Sequence, residues 1–399
     1  MRRIDGRNRS VNQLKSANLK VALHATRTDQ PHKLAIMKPL FRPCAKLAVL
    51  ALMIAATSIA RSQTAPDQLL LKDYKPRSIF KIPETRVERA RYQVIDVHSH
   101  DYARTDDDVA RWVRSMDAAG LEKTIILSGY TGPRFDAAAA KFGKHPGRFV
   151  VWCGIDYSGF DKPGFGPAAI AELERCHKLG ATGIGELSDK GRGLGATSNS
   201  LGMHIDDPRM DTILEKCAEL NMPVNIHVGE DRWMYEPMDT RNDGLMNAWK
   251  WRITNAPGVL SHNEVVSSLE RAVKKHPRTT FIACHLANCC SDLNRLGAMF
   301  DQSPNLYADI GARFAELSST PRTVNRFFQR YQDRIFYGTD VDPEPEMYRT
   351  TFRLLETEDE HFYPVHFRKY HWPMNAFALP DAILKKIYRE NALRVLRLN

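Results

Sequence analysis

The sequence lacks the features that mark several common classes of protein. Its formal charge is +10, but residues 1–60 carry 11 Lys and Arg against 2 Asp and Glu, which leaves 46 basic and 45 acidic residues in 61–399. Beyond residue 60 there is no stripe of Lys and Arg interleaved with aromatic residues, which excludes a nucleic-acid partner. No Gly-rich dinucleotide fingerprint supports an open nucleotide-binding sheet.

Cysteine is also scarce, with seven residues in the chain, one of which, Cys44, lies near the front. Cys153 and Cys284 lie inside apolar runs typical of strands, and Cys176 and Cys217 lie on helix-like stretches. These are the positions of small buried hydrophobic residues. We therefore predict free thiols, with disulfides as the alternative.

Apolar runs are short. Residues 47–60 form an apolar run of 14 residues, fewer than the roughly 20 needed to cross a bilayer as a helix. Basic residues precede this run and small residues end it, which is the pattern of a secretory signal; they are Lys38, Arg42 and Lys46, and Ser58-Ile59-Ala60. We expect export to the periplasm or the medium and no membrane span after cleavage, with an uncleaved anchor as the alternative.

These features give a domain plan in which translation starts at Met37. The expected parts are an upstream non-structural segment at 1–36, a signal peptide at 37–60, an N-terminal arm at 61–91 and a catalytic domain at 92–399. The arm is predicted because residues 61–90 are rich in Lys, Arg and Pro and show only weak periodicity.

Short β-branched runs then alternate with amphipathic helical patterns, which indicates an α/β fold with parallel strands. Eight such units favour a single closed (β/α)8 barrel of the TIM type. The predicted strands are 93–96, 123–127, 149–154, 182–185, 223–226, 279–284, 306–309 and 334–337. Two long connections, 229–263 and 342–379, are expected to carry substrate contacts, and a closing helix is expected at 380–396.

Residues that bind metals lie at the carboxyl ends of these strands. His98 and His100 follow the first run at spacing i and i+2, so their side chains point to the same side of the strand. His227, His285 and Asp340 end the fifth, sixth and eighth runs. Because these strand ends meet on one face of a barrel, the five side chains are predicted to converge on a metal.

Imidazole and carboxylate ligands suit Zn²⁺, with Mn²⁺ or Fe²⁺ as alternatives, and leave a position open for water or substrate. Asp340 is the candidate general base, because a carboxylate beside an activated water can accept its proton during attack on a carbonyl.

The order His98-Ser99-His100, His227, His285 and Asp340 resembles the amidohydrolase superfamily, in particular its amidohydrolase-related branch, over residues 92–396. The resemblance implies that His98, His100, His227 and Asp340 hold the catalytic metal. It also implies that His285 binds a second metal or polarises substrate and water.

The fourth strand departs from the family pattern. Many two-metal members have a carboxylated lysine there, whereas this sequence has Glu186 and places Lys190 beyond the strand. Glu186 is a candidate bridging ligand, as in the similar TatD-like deoxyribonucleases. One ion is favoured, and two ions are the alternative.

Three further residues are candidate substrate contacts. Arg313, just beyond the seventh strand, would either pair with a substrate carboxylate or bind a neighbouring acid. Glu230 and Trp233 follow the fifth strand, in the first long connection.

The resemblance favours hydrolysis of an ester, lactone or amide, with Asp340 as base and His285 stabilising the developing charge. Decarboxylation of an aromatic or unsaturated acid is the alternative, and a metal-stabilised binding protein without turnover is the third. The expected partner is a small molecule, a carboxylate or lactone, and a homodimer is left open.

Overall fold

Eight parallel strands form the centre of the chain. The computed structural model describes residues 65–253, 256–367 and 370–398, and all structural statements here refer to them. The strands are β1 Val94–Ser99, β2 Leu121–Leu127, β3 Phe149–Trp152, β4 Ile184–Asp189, β5 Val224–Val228, β6 Phe281–Ala283, β7 Leu306–Asp309 and β8 Ile335–Phe336. Strands β1 to β3 form one sheet and β4 to β8 a second, and within each sheet every strand pairs with the next in sequence.

Backbone contacts join the two sheets on both sides. Cys153, just after β3, forms a parallel bridge with Ile184 of β4. On the other side, the Val97 amide donates to the Tyr337 carbonyl at 3.0 Å, which places β1 beside β8. The predicted (β/α)8 barrel is therefore confirmed.

Helices occupy most of the connections. They are α1 Asp106–Ala119, α2 Gly132–Gly143, α3 Phe165–Lys178, α4 Pro208–Glu219, α5 Leu245–Trp251, α6 His262–Lys275, α7 Leu293–Gln302, α8 Phe314–Ser318, α9 Pro321–Arg330, α10 Pro345–Glu356, α11 Asp381–Lys385 and α12 Asn391–Leu396. A π-helical turn at Lys386–Glu390 joins α11 to α12. All these elements belong to one compact unit, Pro66–Asn399.

Local sequence explains where helices begin. Helix α1 starts with a capping box, in which the Thr105 hydroxyl accepts from the Asp108 amide and the Asp108 carboxylate accepts from the Thr105 amide. Ser261 and Glu264 form the same box at the start of α6. Such caps satisfy amides that have no partner within the first helical turn.

Apolar side chains from several strands form a cluster separate from the main core between strands and helices. Because its strand residues come from β1, β2, β3, β6 and β8, this cluster fills the inside of the barrel. Its members are Ile95, Val97, Ile125, Leu127, Trp152, Ile282 and Phe336, with Ala392 and Leu396 of α12.

The main differences from the sequence prediction lie in β4 and in the two long connections. Strand β4 begins at Ile184 and ends at Asp189, so Glu186 lies inside the strand rather than after it. The connection 229–263 contains α5, and the connection 342–379 contains α10 with its buried apolar face. A helix within a long connection can pack its hydrophobic face on the barrel. The number of predicted strands does not reveal such a helix.

The cysteines in the described part of the chain are all free, which confirms that prediction. Among the described helices, none has both the length and the apolar character needed to cross a bilayer. The upstream segment and the signal peptide lie outside the described residues, and export stays a prediction.

Candidate metal centre

His98 and His100 each have one ring nitrogen bound to an acceptor outside the centre. His98 Nδ1 lies 2.9 Å from an oxygen of Asp309, and His100 Nδ1 lies 2.9 Å from the Leu127 carbonyl oxygen. A carbonyl or an ionised carboxylate only accepts, so each Nδ1 carries the proton. When either ring is neutral, its Nε2 therefore presents a lone pair; when the ring is protonated, Nε2 carries the second proton.

His285 and His227 are fixed in the same way. His285 Nδ1 donates to the Gly311 carbonyl at 2.7 Å, which leaves its Nε2 as the acceptor. His227 is turned the other way: its Nε2 donates to the Gly229 carbonyl at 2.7 Å, so its Nδ1, 2.9 Å from Glu186, is the inward nitrogen and has a lone pair when the ring is neutral. Metal-binding histidines usually have their second nitrogen held by such a partner.

Glu186 lies among the inward nitrogens. Its carboxylate is 2.9 Å from His227 Nδ1, 3.3 Å from His285 Nε2 and 3.3 Å from His100 Nε2. His98 Nε2 is slightly farther away, at 3.9 Å. Glu186 therefore contacts His100, which follows β1, as well as His227 of β5 and His285, which follows β6.

Asp340 closes the cluster on the side of β8. Its Oδ1 lies 3.0 Å from His100 Nε2 and 3.7 Å from His98 Nε2, and its Oδ2 lies 3.7 Å from His285 Nε2. The backbone at Asp340 has a φ of 53°, a left-handed conformation that aspartate tolerates better than most residues. Gly338 lets β8 approach β1, since a Cβ there would lie 2.7 Å from the Cβ of His98.

The two carboxylates favour positive charge at this place. Burial alone would lower the pKa of His98, but the charges of Asp309 and Asp340 outweigh burial and raise that pKa to about 9. Burial likewise opposes the charged form of His100, whose hydrogen bonds to Asp340 and Glu186 raise its pKa to about 11. Burial alone would raise the pKa of Glu186, but hydrogen bonds from His100, His227 and His285 in their protonated forms hold it well below the usual range.

These residues fit a divalent cation. His98 Nε2 is buried and has no hydrogen-bond partner in the described structure, and a buried polar atom without a partner is costly. Four lone pairs and two carboxylates facing one another need a cation or protons between them. Three three-residue groups in this centre have ligand atoms within 4.8 Å of one another: His98, His100 and Glu186; Glu186, His227 and His285; and His98, His285 and Asp340.

The sequence analysis missed the residues beneath the centre. Asp309 is fully buried and accepts from His98 Nδ1, the amides of Gly311 and His285, and Asn225 Nδ2. Cys284 donates from its thiol to the side-chain oxygen of Asn225 at 2.8 Å. Asp309 ends β7, so an acid at a strand's carboxyl end was the available signal.

Replacing Asp309 with asparagine is expected to weaken metal binding by roughly 10- to 100-fold. The amide would no longer require His98 Nδ1 to keep its proton, so His98 Nε2 would present its lone pair less strongly. Competition titration with a chromophoric chelator measures the change. Asp301→Asn, on the surface beside Arg330, is the matched control, and equal affinities for both variants would contradict a supporting role for Asp309.

One turn of left-handed backbone follows β6. Residues 285–288 all have φ between 53° and 58°, a conformation that costs about 1–2 kcal/mol per residue. Asn288 offsets part of this cost: its Nδ2 donates to the Val228 carbonyl at 3.0 Å, and its Oδ1 accepts from Arg313. The turn fixes His285 against β5 and β7.

The candidate substrate residues lie at different distances from the centre. Glu230 is buried, 3.7 Å from His227 Nε2, and forms an ion pair with Lys190. Arg313 is also buried and has internal partners, Asn288, the Ala312 carbonyl and Glu230 at 3.6 Å. Of the two roles left open for Arg313, this placement favours binding a neighbouring acid.

The described contacts of Trp233 are with other loop residues. It belongs to a 3-10 turn, Arg232–Met234, and its ring packs against Trp372 at 5.4 Å between centroids. The structure thus brings together the six predicted residues His98, His100, Glu186, His227, His285 and Asp340, with Glu230 beside them, and leaves Trp233 in the surrounding loops.

Comparison with known proteins agrees with this geometry. The model of a family described as amidohydrolase matches residues 86–398. A search of curated proteins found no match. Among solved structures, 2,6-dihydroxybenzoate decarboxylase from Rhizobium is 17% identical with a TM-score of 0.50, and 77% of this chain aligns with 99% of that one. The same enzyme complexed with 2,6-dihydroxybenzoate gives equal values. With its barrel, its strand-end histidines and this match over most of its length, the chain belongs to the amidohydrolase family of enzymes.

Proposed function

We propose that this protein is a metal-dependent hydrolase of a carbonyl ester, lactone or amide. One observation supports the proposal above others: four imidazoles have their outer nitrogens bound to acceptors and their inner nitrogens directed at Glu186 and Asp340. Zn²⁺, or alternatively Mn²⁺ or Fe²⁺, would lower the pKa of a water molecule there to about 7 and polarise a carbonyl oxygen.

Asp340 is suited to move the proton. Its side chain is 21% exposed, against 13% for Glu186, so it is the carboxylate more open to solvent and substrate. Burial opposes ionisation, but the charge of His98 and the hydrogen bond with His100 lower the pKa of Asp340. An ionised carboxylate at this place accepts the proton of an attacking water and passes it to the leaving group.

His285 is better suited to bind a metal than to stabilise charge on the substrate. Its Nδ1 proton is used by the Gly311 carbonyl, and burial together with nearby Arg313 lowers its pKa. A neutral ring in this tautomer offers a lone pair at Nε2 and no second donor. We therefore assign His285 as a ligand.

We also propose two ion positions rather than one. Glu186 belongs both to the group with His98 and His100 and to the group with His227 and His285, while Asp340 with His98 and His285 forms a further group across the two pairs. A shared carboxylate of this kind, with two oxygens and about four lone-pair sites, accommodates two cations. Two ions also suit hydrolysis, because they can stabilise both the attacking and the leaving oxygen.

Decarboxylation is the second candidate. The two solved structures described above, which share the fold, are decarboxylases of a dihydroxybenzoate. A decarboxylase has to deliver a proton to carbon, for which Asp340 would need to be protonated. Hydrolysis also needs Asp340 to hold a proton when it passes one to the leaving group, so product analysis, not the ionisation of Asp340, separates the two candidates.

Product analysis tests the proposal. We expect metal-loaded protein to release acid from lactones or esters in a pH-stat, or free amine from amides, and no carbon dioxide from aromatic carboxylates. Activity is expected to disappear after chelation and to return with Zn²⁺ or Mn²⁺. Carbon dioxide release would favour the second candidate, and bound metal with no turnover of either panel would favour a binding protein.

A further inference from the structure

An exposed apolar stretch precedes the barrel. Among the described residues, twelve large apolar side chains are exposed, and seven of them lie within residues 69–82, here called the apolar arm. The seven are Leu69, Leu70, Leu71, Tyr74, Ile79, Phe80 and Ile82. Isolated exposed apolar residues are normal, but a contiguous group indicates an interaction surface.

The apolar arm is held on the barrel rather than hanging free. Thr85, just after it, donates its amide and its hydroxyl to Asp359, both at 2.7 Å. Ser78 contacts His361 Nδ1 at 3.2 Å, and the Phe80 ring meets the His361 ring edge-on at 4.7 Å between centroids. Between these attachments Ile79 remains 87% exposed. The part of the arm from Ser78 onward is therefore attached to the barrel, and Ile79 and Phe80 are exposed beside these attachments.

The same arm is basic. Residues 69–82 contain four cations and one acid, a net charge of +3, and all five side chains are exposed. No carboxylate in the described part of the chain forms an ion pair with any of the cations within 4.0 Å. They are Lys72, Lys75, Arg77 and Lys81. Cations interleaved with apolar side chains are the chemistry that binds an anionic lipid surface.

We propose that the apolar arm docks this protein onto an anionic lipid bilayer. The apolar side chains enter the boundary between headgroups and acyl chains, and the four cations contact lipid phosphates. The attachment is peripheral, and it is independent of which reaction the metal centre catalyses.

A second copy of the chain explains these features less well. Contact between two copies of the arm would bring charges of +3 and +3 together, which opposes association. Contact with the barrel of a partner would need an acidic apolar face. Residues 83–399 contain 41 basic and 43 acidic residues, and the exposed large apolar side chains described there are few and mostly apart in sequence: Leu179, Leu201, Trp249, Trp251 and Val365.

Vesicle flotation tests the proposal. The full-length chain is expected to float with vesicles containing phosphatidylglycerol, and at least about 10-fold less with pure phosphatidylcholine vesicles or in 1 M salt, where charges are screened beyond about 3 Å. Ile79→Ser combined with Phe80→Ser should weaken partitioning by roughly 10-fold or more. Lys75→Gln and Lys81→Gln should each weaken it about five-fold.

Leu179→Ser is the matched control, because Leu179 is 52% exposed on the barrel, outside the apolar arm. All variants keep the same front segment, so differences between them report the arm alone, and equal metal content shows that each has folded. Equal flotation of the wild type and the Ile79/Phe80 variant would overturn the proposal. So would a dimer that the same substitutions convert to monomer in light scattering, which would assign the arm to a second copy.

Discussion

Asp340→Asn is expected to lower turnover by about 10²- to 10⁴-fold while most of the bound metal remains, the range typical of a lost general base. The substitution keeps the shape of the side chain but removes the charge that faces His100 Nε2 at 3.0 Å. Four imidazoles and Glu186 still face the centre, so most of the bound metal should remain. Steady-state rates and metal content measured on the same sample test both halves of the expectation.

Asp342→Asn is the matched control for this experiment. Asp342 lies two residues farther along the same connection, is exposed, and forms no ion pair in the described structure. It should keep full activity. Full activity in Asp340→Asn would contradict its assignment as base. Activity restored by excess metal would show instead that Asp340 acts mainly as a ligand.

Much of the metal centre was predictable because strand ends are predictable. His98, His227 and Asp340 each follow an apolar run, and parallel strands of a barrel bring their carboxyl ends to one face. The hydrogen-bond partners of the rings were not predictable. The Leu127 and Gly311 carbonyls that fix two tautomers are backbone atoms, and no residue type marks them.

Side chains below the centre were harder to predict than those around it. Asp309 has the composition of a ligand, but its partner is His98 Nδ1, on the side of the ring away from the other ligands. The position of an acid at the end of a strand does not show whether it binds the metal or holds the outer nitrogen of a histidine. The ends of β4 were also misplaced, because Gly185 and Glu186 do not follow the β-branched pattern of the other strands.

The apolar arm shows a similar limit. Its Lys, Arg and Pro content indicated an extended segment, and residues 69–82 are extended apart from a short 3-10 turn at Leu71–Asp73. Composition did not reveal that its apolar side chains face solvent, because Leu and Ile in an arm can equally pack on the barrel. Only the contacts of Thr85 and Ser78 show which side is covered.

Glu186→Gln is expected to lower the metal content from two ions per chain to one at most, and turnover by at least about 10²-fold. Glu186 lies in both the group of His98 with His100 and the group of His227 with His285, and Asp340 contacts His98, His100 and His285 but has no described contact with His227. A neutral amide offers one acceptor oxygen and no charge, so it cannot serve both groups. Metal analysis after gel filtration gives the stoichiometry directly.

The number of ions per chain distinguishes a centre with two ions from a centre with one. Glu174→Gln, a partly exposed acid paired with Lys216 on the helical surface, should keep both ions and full activity. Glu186→Asp should retain part of the metal content and part of the activity, because aspartate keeps the negative charge on a shorter side chain. If wild-type protein holds one ion and Glu186→Gln holds the same one, the carboxylate is not shared. The inward lone pairs of His227 and His285 would then need a proton, not a second cation, to offset their repulsion.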